Sequence, residues 1–187
     1  MKSLTKRILA ALLAAAFLLA LAGCSTPGKN NTPKDYTQIL HDARPDEDNE
    51  YYMIFSPGED GKFTAQYGYS DSYDAAQLDE EIRNMLFPLL NLEEGDYTDF
   101  AASVSGMMVQ SYAIAIVKPA EGKQQAVFDA MDAYVQSQMQ SMEHYLEDQY
   151  KIAASAHIST APTGEVILVC CEDPETVLSA IKTALAA

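Results

Sequence analysis

The chain is 187 residues long, enough for one domain with its own core plus a tether. Its 27 acidic residues outnumber 12 basic ones, for a formal net charge of −15. Such a surface repels nucleic acid, anionic lipid headgroups and anionic wall polymers, and it keeps a protein soluble.

Lys2, Lys6 and Arg7 head an unbroken apolar run over residues 8–22, which closes in Leu21-Ala22-Gly23-Cys24. A basic head, an apolar stretch and a small-residue cleavage site make an export signal. The run is shorter than the ~20 residues a membrane-spanning helix needs. Leu-Ala-Gly-Cys resembles the bacterial lipoprotein box. The resemblance implies cleavage between Gly23 and Cys24, a diacylglyceryl group on the Cys24 sulfur, and an anchor on the outer face of the cell membrane. Loss of Lys2, Lys6 and Arg7 with the signal leaves the mature chain more acidic still.

Four segments follow from this reading: a signal peptide at 1–23, a flexible tether at 24–34, a hairpin-and-helix region at 35–96, and a core domain at 97–187. The tether is rich in Ser, Thr, Pro, Gly and Asn. After it, residues 35–43 predict a short helix ended by Pro45. The acidic run 46–50 lacks the glycine and the register of a calcium loop and reads as a solvated loop. Residues 51–55 predict a strand, and Pro57, Gly58 and Gly61 a turn. Phe63, Ala65, Tyr67 and Tyr69 alternate with smaller or polar residues as a second strand, so the two form a hairpin. The aromatics between Tyr51 and Tyr73 either cover the core or form a sugar-stacking platform. With no tryptophan in the chain, core cover is preferred. Asp74 opens a helix with a capping-box pattern. Leu78, Ile82, Met85, Leu86 and Leu89 mark its apolar face, and Pro88 limits it.

In the core domain, residues 100–105 and 112–117 predict strands. Residues 119–150 then predict one long helix, with Phe128, Met131, Val135, Met139, Met142, Leu146 and Tyr150 as its buried stripe. Methionines at this spacing read as core rather than as a soft-metal or peptide site. Residues 152–160 and 165–171 predict two more strands around Ala161-Pro162-Thr163-Gly164. The second is apolar on both sides, hence central and covered. Its Cys170 and Cys171 are neighbours ~3.8 Å apart at Cα, short of the ~4.4–6.8 Å of a relaxed disulfide, and read as small core residues on opposite faces. Asp173, Pro174 and Glu175 open a final helix whose Val177, Leu178, Ile181 and Leu185 point inward.

Chemistry is sparse along this path. His41, His144 and His157 lack metal-ligand spacing, so neither a metal nor a cofactor is expected. Ser179-Ala180-Ile181-Lys182 spells the S-x-x-K of serine acyl-transfer enzymes, in which the lysine one helical turn away takes the serine proton. Neither S-D-N nor K-T-G follows it. Ile181 belongs to the inward stripe, so Ser179 faces water, and coincidence is the preferred reading.

From about Tyr97 onward the chain resembles an uncharacterised family of bacterial lipoproteins, domain of unknown function 4358. The likeness lies in Ser111-Tyr112-Ala113-Ile114-Ala115-Ile116-Val117-Lys118, in Tyr145-Leu146-Glu147-Asp148-Gln149-Tyr150-Lys151-Ile152, and in Gly164-Glu165-Val166-Ile167-Leu168-Val169. In that family a strand ending near a lysine leads into a long helix, which closes with Tyr and Gln before the last hairpin. An acidic residue often found before the first strand is missing here, as is an arginine of the long helix. The resemblance implies a lipid anchor and brings no known activity and no functional residues.

The expected fold is α+β: a mostly antiparallel sheet in strand-strand-helix-strand-strand-helix order, with the long helix and the C-terminal helix on one face and the N-terminal hairpin and helix attached. The expected function is a lipid-anchored, non-catalytic module that binds an envelope protein partner and not nucleic acid. The alternatives are a small-ligand or carbohydrate-binding lipoprotein using the Tyr51 to Tyr73 aromatics, and a serine hydrolase using Ser179 and Lys182.

Overall fold

The computed structural model describes residues 34–187, Glu59 excepted. The signal segment and Cys24 lie outside the described residues. Among the described residues, six helices and a six-stranded antiparallel sheet make an α+β fold. In chain order the elements are α1 (Tyr36–Ala43), α2 (Asp46–Tyr51), β1 (Ile54–Pro57), β2 (Phe63–Gln66), α3 (Ala75–Glu81), β3 (Tyr97–Val104), β4 (Ala113–Pro119), α4 (Gln124–Met142), α5 (Glu147–Ala154), β5 (His157–Thr160), β6 (Val166–Cys170) and α6 (Pro174–Ala186). A π-helical turn (Ile82–Leu86) and a 3-10 turn (Phe87–Leu90) extend α3. Among the described residues no helix is long and apolar enough to cross a membrane.

The strand order is β2-β1-β3-β4-β6-β5. β3 and β4 pair from Phe100 with Val117 to Val104 with Ala113, and Ala113 in turn pairs with Cys170 of β6. Every residue from Ala113 to Val117 and from Val166 to Cys170 is buried. Side chains alternate across a strand, so these two strands are apolar on both faces and both faces must be covered.

That requirement corrects the expectation of helices on one face. Phe55, Phe100, Ala115, Leu168 and Cys170 share one core with Met131 and Tyr134 of α4 and with Leu78, Ile82, Leu86 and Leu90. Ile54, Ile114, Ile116, Ile167 and Val169 share the other with Tyr36 and Leu40 of α1 and with Val177, Ile181 and Leu185 of α6. Each fully covered side chain of this size contributes ~1.5–3 kcal/mol. The adjacent cysteines divide accordingly, Cys170 into the first core and Cys171 into the second.

Most expected elements form, with four differences. The acidic run is helix α2 rather than a loop. Pro45 presets φ at −59° just ahead of it, and Asp46, Glu47 and Asp48 occupy the electropositive first turn. β1 therefore begins at Ile54, not Tyr51. The second strand of the hairpin stops at Gln66, because Tyr67 and Gly68 take positive φ and residues 68–72 coil as a 3-10 turn.

The long helix is two helices. α4 ends at Met142, whose carbonyl accepts from the N–H groups of both Tyr145 and Leu146. Leu146 leaves the helical region at φ −135°, and α5 restarts at Glu147. At ~1.5 Å per residue α4 spans roughly 28 Å, not 40–45 Å. Its buried stripe is Val127, Ala130, Met131, Tyr134, Val135 and Met142, with Phe128 and Met139 only half-buried. The stripe is shifted because Tyr134 turns inward, where its hydroxyl donates to the Tyr112 carbonyl at 3.0 Å. The strand expected from Ile152 begins at His157, since residues 147–154 are helical.

Candidate functional site

β3 ends, β4 begins and β6 ends at the same end of the sheet's strands, and there a cleft of about 920 Å³ opens. Tyr52 and Tyr112 stack with ring centroids 4.0 Å apart and 16° between planes, and both line it. Tyr51 of α2, Tyr69 of the 3-10 turn and Tyr73 just after it add three more rings. The end of α3 contributes Glu81 and Met85, and the β3–β4 loop contributes Ser105, Met107, Gln110 and Ser111. α5 supplies Gln149 and Ile152, and the β6–α6 connection supplies Cys171, Glu172 and Asp173.

Polar ties hold these parts in place. Arg44, 4% exposed, lies beneath the tyrosine pair. Its guanidinium donates to Ser103 Oγ at 2.7 Å, Tyr112 Oη at 3.2 Å, the Tyr52 carbonyl at 2.6 Å and Asn49 Oδ1 at 2.6 Å. One planar fork thus joins α2, β3 and the segments that enter β1 and β4, a role a point-like ammonium could not fill. Gln110 donates to the Tyr52 hydroxyl and accepts from Ser105 Oγ at 3.0 Å. The Ser111 N–H donates to Gln149 Oε1 at 2.8 Å, which fixes α5 against the loop. Ser111 itself is 2% exposed, and its Oγ has no hydrogen-bond partner among the described residues.

The electrostatics are one-sided. Glu47, Asp48, Glu81, Glu172 and Asp173 line the cleft, and none of its lining residues is Lys, Arg or His. Burial pushes the Asp48 carboxyl above the ordinary carboxylate value; the Tyr112 hydroxyl and Arg44 oppose this, and Glu47 and Glu172 add to it. Burial also raises Tyr52, helped by the charge of Asp48, and raises Tyr69. Burial and neighbouring carboxylates push the Cys171 thiol up to about 11, so it stays protonated and weakly nucleophilic near neutral pH.

The aromatics singled out in the sequence divide. Tyr51, Tyr52, Tyr69 and Tyr73 line the cleft, whereas Phe55 and Phe63 fill the core. Tyr67 packs on His41 instead, with centroids 4.2 Å apart. Ser179 sits exposed on the outer side of α6, in a shallow open depression with Thr176 and Thr183, and Lys182 is half-buried. The Ser179 carbonyl accepts from Thr183 Oγ1 at 2.8 Å, and among the described residues no hydrogen bond joins the Ser179 and Lys182 side chains. Gly23 and Cys24 lie outside the described residues. Among the described residues no group of three His, Cys, Asp or Glu is placed to hold a metal ion.

Sequence reasoning missed Asp48, Ser111, Tyr112, Gln149 and Cys171 as members of one site. A signal was present: Ser111 and Tyr112 open one of the segments resembling the family and Gln149 lies in another, and the Ser111–Gln149 hydrogen bond joins the two. No curated protein and no solved structure matches the chain. Residues 70–171, which include Tyr73, Met85, Met107, Ser111, Tyr112, Gln149 and Cys171, match a family described as a domain of unknown function (DUF4358), and the chain belongs to that family.

Proposed function

We propose that the chain is an exported lipoprotein, anchored to the outer face of the cell membrane through Cys24, that binds a small ligand in the tyrosine-lined cleft without transforming it. The cleft carries this reading: its volume of about 920 Å³ falls in the range of small-molecule sites, ~300–1,000 Å³. Apolar rings and a few convergent polar groups are the usual composition of such sites. The raised Cys171 thiol and the absence of histidine among the cleft's lining residues favour binding over nucleophilic catalysis.

A thermal-shift screen of the full chain in detergent, against sugars, amines, organic acids and short peptides, tests the binding. A ligand that stabilises the wild type but not Tyr51→Ala or Tyr69→Ala supports the proposal. A screen without stabilisers, or one whose stabilisers are indifferent to both variants, removes it. Intact mass of the protein from native membranes tests the anchor. The expected species begins at Cys24 and carries added acyl mass; a species beginning at Met1 refutes it.

A second reading is an envelope protein partner docking on the β3–β4 loop. Met108 is 89% exposed, and Met107 and Val109 beside it are also exposed. Methionine suits such adaptable contacts. Crosslinking from position 108 that traps one defined protein in membranes, and is lost with Met108→Asp, would favour it over the small ligand.

A further inference from the structure

We infer that the ligand of the tyrosine cleft is an organic cation with an apolar body, an amine rather than a sugar or an anion. This rests on the small-ligand reading above and specifies its chemistry. Five tyrosines and five carboxylates converge on the cleft with no cationic residue among those lining it. The nearest guanidinium, that of Arg44, is buried and spends its donors on Ser103, Tyr112, Tyr52 and Asn49. It neutralises Asp48 in part and leaves Glu47, Glu81 and Glu172 without a counter-charge in the cleft, whereas Asp173 accepts from the Thr176 N–H as the cap of α6.

Each class of occupant meets this surface differently. An anion is repelled by the carboxylates. A neutral sugar can stack on the rings and donate to the carboxylates, but it leaves their mutual repulsion unrelieved. A compact metal ion would need converging first-row or hard-cation ligands, and no group of three His, Cys, Asp or Glu among the described residues is so placed. An ammonium group relieves the repulsion, and ring faces attract it through their quadrupoles. The apolar lip, where Met85 and Met107 are more than half exposed, suits the hydrocarbon portion of such a molecule.

A second observation points to an occupant of the cleft, whatever its charge. Ser111 lines the cleft and carries a buried hydroxyl with no partner among the described residues. A buried polar atom left unpaired is costly, so it marks a place where an entering group supplies the hydrogen bond. An ammonium N–H can donate to that oxygen, and the net negative charge of the chain draws cations toward it over longer range.

Titration calorimetry on the full chain in detergent separates the classes. The probes are phenethylammonium and choline as cations, phenethyl alcohol as the neutral isostere, phenylacetate as the anion, N-acetylglucosamine as the sugar and trilysine as a basic peptide. The expected result is saturable binding of at least one of the two small cations, about tenfold or more tighter than the alcohol, weakening with added salt. Asp48→Asn and Glu172→Gln should each weaken it severalfold; Glu172 is exposed, so its variant keeps the test sharp if Asp48→Asn alters the fold. Equal affinity for the alcohol, preference for phenylacetate, or insensitivity to both variants overturns the inference. Binding of the sugar alone overturns it while leaving the small-ligand reading intact. Binding of trilysine alone replaces it with a protein partner, and no binding by any probe also overturns it, with the broader thermal-shift screen then deciding the parent reading.

Discussion

Tyr52 and Tyr112, stacked at 4.0 Å, join the entry of β1 to the entry of β4 across the intervening β3. Arg44 holds both from below, through the Tyr52 carbonyl and the Tyr112 hydroxyl. The cleft floor is therefore a stacked pair on a buried guanidinium rather than a loop lying on the surface. A rigid floor of this kind orders the binding rings in advance, which lowers the entropy lost when a ligand arrives.

Truncating Arg44 tests that support. Arg44→Ala leaves Ser103, Asn49 and the Tyr52 carbonyl short of a donor in a buried setting, and hydrogen bonds to a charged group contribute about 1.5–3 kcal/mol each. A loss of roughly 3 kcal/mol in urea unfolding is expected. Arg44→Lys should recover only a minor part, since one ammonium has three donors for four acceptors. Full recovery by lysine would show that charge alone matters.

Gly68 sets the opposite wall. It has φ +53°, and a Cβ there would lie 2.5 Å from the Tyr52 carbonyl carbon and 2.6 Å from the Met53 nitrogen. The 3-10 turn bearing Tyr69 thus approaches the backbone that leads into β1 as closely as a missing side chain permits. Gly68→Ala adds backbone strain of about 1–3 kcal/mol to that clash. It should lower the melting temperature and weaken any cleft ligand together, whereas Gly95→Ala, with positive φ but open space, should leave ligand affinity unchanged. Equal effects of the two on affinity would remove the wall argument.

How much of this was legible in the sequence follows a physical line. β6 could be read because Ile167 and Leu168 point to opposite faces yet both are apolar, and α6 because Asp173 caps it and Pro174 starts it. The break at residues 143–146 was hidden: it contains neither glycine nor proline, and the helix turns there to bury Ala153 and deliver Gln149 to Ser111. α2 was hidden because its acids suggest solvent; Pro45 and the first-turn acids favour the helix locally, and the Asn49 contacts with Arg44 and the His41 carbonyl tie it to the fold. The cleft was hidden most deeply. Tyr52 and Tyr112 meet only after β1, β3 and β4 pair, so no local pattern announces them.

The shift of the α4 stripe yields its own comparison. Met131 is fully buried against the sheet, whereas Met139 is only half-buried. Met131→Ala should therefore cost ~2–5 kcal/mol, the range for emptying a packed site. Met139→Ala should cost about 1 kcal/mol, the centre of the distribution for ordinary substitutions. Equal losses in denaturant unfolding would restore the stripe read from spacing alone.

Asp48 ties stability to the proposed chemistry. Its carboxyl is held above the ordinary carboxylate value by burial, with Glu47 and Glu172 adding to the effect against Tyr112 and Arg44. The folded protein therefore keeps this proton more readily than the unfolded chain. Stability from this site is full below the unfolded value of ~3.9 and falls as pH rises through the folded value. Asp48→Asn removes the ionisation at nearly unchanged side-chain size. The variant should match the wild type in acid and become the more stable of the two as pH rises toward neutrality. Urea midpoints of both proteins at the two ends of that window measure it. A variant that loses stability at neutral pH would mean that the Arg44 attraction outweighs desolvation. If the gain appears together with weaker cation binding, Asp48 is a group kept charged at a cost to the fold because the ligand needs it.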